Sequence, residues 1–219
     1  MRQNWLTESP FRDVNGLACR KRKKIVAKEV LVEALKVLDS ENAPVSPGWF
    51  WSAAFKLLFF SGMRRRQLTE LRWRDLDFNS ETIVLRIEGS KTRREWEIPM
   101  PPQCVEGFVE LRNRSLVRHR KLEDRQVFWI QLFDSRYAGT ELTAEQVSYA
   151  FTRLSRRAGN KISPHRLRHT MATDLARGTN PDLKSLQYLL GHTQLALTME
   201  YVHPEMGQLR LQQSKLSLA

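Results

Sequence analysis

The stretch APVSPGWFWSAAFKLLFFSGMRRRQLTELRWRDLDF, residues 43–78, constrains the fold more than any other part of the chain. Its opening Pro, Ser and Gly residues mark a turn. From about Gly48 to Phe60 the pattern is that of a strongly apolar helix, which Ser61-Gly62 breaks before a second helix begins near Met63. Leu57, Leu58, Phe59 and Phe60 are read as core. Nowhere does the chain offer the run of about 18 apolar residues that a membrane span requires. The N-terminal MRQNWLTESPF has neither the charged start nor the apolar centre of a secretory signal. A cytosolic protein is expected, with no membrane partner.

The other elements follow from periodicity and punctuation. Leu31, Leu35 and Leu38 line one helix face. ETIVLRI (81–87) and REWEIPM (94–100) alternate as strands around the turn EGSKT, predicting a β-hairpin. A helix from Pro101 to about Lys121 precedes an apolar run, QVFWIQLF (126–133), predicted as a short strand. Helices are then expected over 143–158, 164–177, 181–190 and 197–201, separated by Gly178-Thr179-Asn180 and Gly191. The class is α+β: a mainly helical domain with a small antiparallel sheet.

Charge points to the partner. Lys and Arg number 36 against 24 Asp and Glu, a formal charge of +12, which suits a polyanion and most simply a nucleic acid. The basic run CRKRKKIVAK near the start is read as a DNA-backbone contact or a solvated face. Cys19 and Cys104 are too few for a disulfide framework and lack metal-ligand spacing.

Metal-dependent nuclease chemistry needs clustered carboxylates. Glu70, Asp75 and Asp77 are close in sequence, but amid Arg64, Arg65, Arg66, Arg72 and Arg74 they read as a charged surface. The alternative is a site that neutralises a phosphate with side chains. SPHRLRHTMATDLARG (163–178) crowds His165, Arg166, Arg168 and His169 into the start of one helix, the end that favours anions. His165 and Arg168 share a face, with Cβ atoms roughly 5–6 Å apart. Taken alone, this pair also fits a histidine satisfied in a helix cap.

In combination, these motifs resemble the catalytic domain of the tyrosine recombinases, or phage integrases. The resemblance runs from about Lys24 to His203. Gly62-Met63-Arg64 matches the family's Gly-x-Arg and makes Arg64 its first catalytic arginine. His165-Arg166-Leu167-Arg168-His169 matches His-x-Leu-Arg-His, and Leu190-Gly191-His192 precedes Tyr201 at the nucleophile's spacing. One position departs: many relatives carry an acidic residue where this chain has Gln67, which can orient an arginine but adds no charge.

The resemblance implies roles. A phenol ionises with a pKa of about 10, so a tyrosine nucleophile needs nearby positive charge. Arg64 and Arg168 supply it and grip the phosphate, His165 accepts the proton of Tyr201 or orients it, and His192 hydrogen-bonds the phosphate. Lys91, in the hairpin turn, protonates the leaving 5′-oxygen; Arg93 and Arg94 hold their protons too tightly for that task. His169 is placed behind the reacting groups, and Tyr137, Tyr149 and Tyr188 are read as packing. Neither metal nor ATP nor any other cofactor is expected.

Residues 1–28 read as an arm or interdomain linker ending an absent DNA-clamping domain, which favours a fragment of a longer protein. Residues 29–203 read as the catalytic domain and 204–219 as a tail that docks on a neighbour. The implied activity is site-specific cleavage and rejoining of double-stranded DNA by a homotetramer assembled on DNA, monomeric without it. The alternatives are a catalytically silent DNA-binding protein of the same fold and a type IB topoisomerase-like enzyme.

Overall fold

The computed structural model describes residues 25–86, 95–178, 181–202 and 213–214. The elements run α1 (Lys28–Asp39), α2 (Gly48–Ser61), α3 (Arg65–Glu70), β1 (Leu76–Asp77), β2 (Thr82–Leu85), β3 (Trp96–Pro99), α4 (Pro102–Arg118), α5 (Ala144–Arg157), α6 (Pro164–Ala176), α7 (Leu183–Leu190) and α8 (Leu195–Met199). Among the described residues no helix is long and apolar enough to cross a membrane.

The apolar helix α2 is the axle. Apolar on all sides, it must be surrounded, and it packs against α1, α4 and α6. Phe50, Trp51, Ala54, Phe55, Leu57 and Leu58 are buried, while Phe59 and Phe60 are partly covered and packed against the core. Its aromatic rings reach two other segments: Phe50 meets Phe128 edge to face at 5.5 Å, and Phe55 stacks on Phe151 of α5 at 5.9 Å.

Local chemistry sets the starts of the helices that carry the site. Thr143 and Gln146 form a reciprocal cap at the start of α5, whose Val147, Ala150, Phe151 and Leu154 then face inward at helical spacing. Ser163 accepts from the Arg166 N–H, and Pro164 follows it with no N–H of its own to satisfy, so the first turn of α6 has fewer donors in need of an acceptor.

The sheet is three-stranded and antiparallel in the order β1-β2-β3. Ile83 pairs with Leu76 on one side and with Ile98 on the other. The hairpin strands were expected. The edge strand β1 was not, because only Leu76 and Asp77 form it.

Three sequence expectations are corrected. Residues 126–133 are not a strand: after one bridge between Gln126 and Arg72 the backbone turns into a 3₁₀ segment at Ile130–Leu132. Val127, Phe128, Trp129 and Ile130 are all buried, so the run fills core volume from every side rather than offering one face to a sheet. Asp75 is not surface charge. It is 2% exposed, and its carboxylate accepts from the Arg86 guanidinium at 2.5 Å and the Arg72 N–H at 3.0 Å. Finally, Tyr149 and Tyr188 do not pack inside; both are exposed, Tyr149 with Arg153 over its ring.

Because Leu58 is fully buried in α2, Leu58→Ala is expected to cost about 2–5 kcal/mol by lost transfer energy plus cavity. Urea unfolding followed by circular dichroism checks it; a loss under about 0.5 kcal/mol, the range of surface substitutions, would contradict the central place given to α2.

Candidate functional site

Two helices end at the same point in space, and both end on a glycine. Gly62 closes α2 at φ 63° and Gly191 closes α7 at φ 59°, the left-handed geometry that glycine adopts without penalty. Neither has room for a side chain. A Cβ on Gly62 would lie 1.9 Å from Cε of Met171, and one on Gly191 would lie 2.4 Å from the indole of Trp96 in β3. The glycines thus let α6 and the sheet close in on the two helix ends.

Helix C-termini leave carbonyl oxygens without intrahelical partners. Here Arg168 of α6 takes them. Its Nη1 donates to Gly62 O at 2.6 Å and its Nη2 to Leu190 O at 2.7 Å. The side chain is 6% exposed, and burial, with the charge of Arg64 close by, brings its pKa down to about 10. It therefore stays a cation at neutral pH, offset by the negative ends of two helix dipoles.

The second Nη2 hydrogen reaches Nε2 of His192 at 3.2 Å. A guanidinium only donates, so Nε2 must accept, and the imidazole proton sits on Nδ1. Nδ1 faces the Thr198 hydroxyl at 3.0 Å. Burial and the charges of Arg168 and Arg64 push the His192 pKa down to about 4, which keeps the ring neutral.

Arg64 precedes α3 and is positioned through its backbone. Its N–H donates to Gln67 Oε1 at 2.8 Å. Gln67 is buried at 3% exposure, so the glutamine holds the main chain at this corner. Nη1 of Arg64 is buried with no hydrogen-bond partner in the structure. Burial lowers the pKa of this arginine while the neighbouring Tyr201 pulls it upward.

Tyr201 follows α8. It is 7% exposed and packs beside Met171, Ala172, Ala176, Leu186 and Leu190. Its ring lies nearly parallel to His192 with centroids 6.0 Å apart, and the His169 ring meets it edge-on at 4.7 Å. His165 is exposed and contacts His169, with ring centroids at 5.6 Å.

These groups border one cavity of about 950 Å³. Arg64, His165, Arg168, His192 and Tyr201 all line it, and Arg65, Arg66 and Ser163 extend its wall. Of the residues predicted from sequence, the fold brings these five together; Lys91 lies outside the described residues. Cationic and N–H donors concentrate where the tyrosine hydroxyl sits, which suits an anion with several oxygens. Glu70, Glu141 and Glu145 stand on the same wall. Among the described residues no group of three or more His, Cys, Asp and Glu is arranged to hold a metal ion.

Sequence reasoning missed Thr198 and the two accepting carbonyls. A carbonyl carries no residue identity, so only the glycines beside them gave a signal. Thr198 had one too, its place one helical turn before Tyr201.

The sequence pattern of the phage integrase family matches residues 26–208. A putative tyrosine recombinase XerC of Pseudomonas aeruginosa is 29% identical over 223 residues, covering 96% of this chain and 51% of that protein. The tyrosine recombinase XerC of Bacillus pumilus is 32% identical, covering 96% of this chain and 67% of the relative. The chain thus spans about half to two thirds of the length of these relatives. The Tn1549 transposon integrase, solved in complex with circular intermediate DNA, superposes with a TM-score of 0.67 at 22% identity, covering 90% of this chain and 67% of that one. At that identity the likeness establishes the fold, a tyrosine recombinase catalytic domain.

The depressed pKa of His192 has a stability consequence. A histidine that stays neutral in the fold contributes fully above its unfolded pKa, near 6.5, and its contribution is lost as pH falls toward about 4. Between pH 6.5 and 4.5 the wild type should lose more stability than His192→Gln. Urea titrations at stepped pH check this, and parallel pH profiles would contradict it.

Proposed function

The chain belongs to the phage integrase family, and on that premise we propose that it is the strand-cutting and strand-joining unit of a site-specific DNA recombinase. The observation that carries the reading is the single cavity onto which Arg64, His165, Arg168, His192 and Tyr201 converge.

The phosphate of double-stranded DNA enters between the two arginines. Arg168 has five N–H groups; Nη1 donates to Gly62 O and Nη2 to Leu190 O and His192, Tyr201 is a further partner of the side chain, and a phosphate oxygen takes the place of the His192 and Tyr201 contacts. Arg64 adds its partnerless buried Nη1. Together they stabilise the extra charge of the pentacoordinate transition state. The Tyr201 oxygen attacks phosphorus, its proton passing to His165, and the bond from phosphorus to the 5′-oxygen breaks. Lys91 gives that oxygen its proton, leaving a 3′-phosphotyrosyl link and a 5′-hydroxyl. Rejoining is the same step reversed, so the energy of the broken bond stays in the link and no ATP is consumed.

Gln67 replaces the acidic residue of many relatives, and its hold on the Arg64 backbone supports retention of geometry without added charge. Four protomers on two DNA sites complete a recombination, with residues 204–219 docking on a neighbour, and the protein works in the cytoplasm on the nucleoid.

A nicked suicide duplex tests this directly. Wild type should form a covalent adduct visible as a shifted band on denaturing gels, and Tyr201→Phe should form none. No adduct from wild type leaves a silent DNA-binding protein; relaxation of supercoiled plasmid lacking a recombination site identifies a topoisomerase. Arg168→Ala should lower the rate of adduct formation by at least about 10²-fold, and it should also lower the melting temperature, because it strips partners from both helix ends.

A further inference from the structure

Thr198 occupies an unusual junction. It is fully buried in α8. Its hydroxyl faces Nδ1 of His192 at 3.0 Å, and its carbonyl accepts the N–H of Tyr201 at 3.0 Å. One residue therefore touches both the imidazole and the backbone of the tyrosine.

The tautomer of His192 creates a requirement. With Arg168 donating to Nε2, the imidazole carries its proton on Nδ1 and the Thr198 oxygen accepts it. In that form Nε2 has nothing to donate. To hydrogen-bond a phosphate oxygen, His192 has to carry its proton on Nε2, and Nδ1 then becomes an acceptor inside a buried pocket. A buried acceptor left without a donor costs about 1–3 kcal/mol. Most side chains could serve only one of the two forms. A hydroxyl serves both, because it accepts through its lone pairs and donates after rotating about its C–O bond.

We propose that Thr198 is a positioning residue whose rotating hydroxyl accepts from Nδ1–H in the DNA-free protein, where Arg168 fixes that tautomer, and donates to Nδ1 in the Nε2–H tautomer when a phosphate takes over the Arg168 contact. The proposal rests on the recombinase reading for its second half only. The exchange is balanced: one proton leaves Nδ1, one arrives on Nε2 through solvent in the open cavity, and the net charge of the ring is unchanged. Thr198 never touches the DNA.

The test uses the full chain labelled with ¹⁵N-histidine, whose two ring nitrogens report the tautomer directly, together with the suicide duplex. DNA-free wild type should show His192 protonated on Nδ1. Thr198→Val, which keeps shape and removes the hydroxyl, should keep the Nδ1–H tautomer that Arg168 imposes, shift the Nδ1 resonance through loss of its acceptor, and form adduct about tenfold more slowly, in the range lost when a hydrogen-bonding partner behind a ligand is removed. Thr198→Ser should restore both. A purely packing role would instead favour valine over serine. An Nε2–H tautomer in DNA-free wild type, or a wild-type Nδ1 resonance and rate in Thr198→Val, overturns the proposal. If valine prevents folding, the wild-type tautomer and the serine variant still decide it. If wild type forms no adduct at all, the recombinase reading fails, and the tautomer measurements alone then settle the hold of Thr198 on His192.

Discussion

The buried guanidinium of Arg168 is the interaction on which the rest of the site depends. It joins the C-terminal carbonyls of α2 and α7, whose ends also share an apolar cluster through Phe59 and Leu190, and it donates to the imidazole that follows α7. A cation so deeply buried would ordinarily be expensive. Its cost is offset by carbonyls that need a donor and by the negative ends of two helices. Each side thus supplies what the other lacks. Gly62 and Gly191 make the junction possible, since only a residue without Cβ accommodates both the left-handed turn and the close approach of Met171 and Trp96.

From that junction outward, the site is fixed to the core in two directions. Through Gly62 it inherits the rigidity of α2, whose aromatic rings lock into Phe128 and Phe151. Through Gly191 it touches β3, because the Trp96 indole lies against that turn. The hairpin that β2 and β3 begin and end is anchored at its base by the buried Asp75 carboxylate and Arg86. The side chains facing the cavity are therefore borne on α6 and on short segments tied to packed helices, at Arg64 between α2 and α3, at His192 just after α7 and at Tyr201 just after α8, which limits how far they can drift from mutual contact.

Much of this was legible in the residues. The helices were announced by spacing and by caps: Val147, Ala150, Phe151 and Leu154 share a face of α5, and Ser163-Pro164 marks the start of α6. The cavity residues could be named because motifs at fixed spacing identify side chains without reference to their partners. What stayed hidden depended on tertiary surroundings. Residues 126–133 have strand-like composition, yet a run buried from every side gives no period by which strand and core turn can be separated. Asp75 looked like one charge among many, and only the fold shows Arg86 reaching it. The exposure of Tyr149 and Tyr188 likewise depends on which helix faces found neighbours.

The electrostatic order of the site follows from the donor-only nature of arginine. Once Arg168 points an N–H at Nε2, His192 cannot be a cation without placing two donors against each other, and burial beside Arg64 and Arg168 reinforces this by lowering its pKa to about 4. The positive charge is therefore carried by the guanidiniums, which hold it across the physiological range, while His192 remains neutral with its proton on Nδ1. An arrangement of this kind separates two tasks that a pair of cationic histidines would merge. The arginines set the field that favours an anion in the cavity, and the imidazole, carrying no net charge, contributes hydrogen bonding alone.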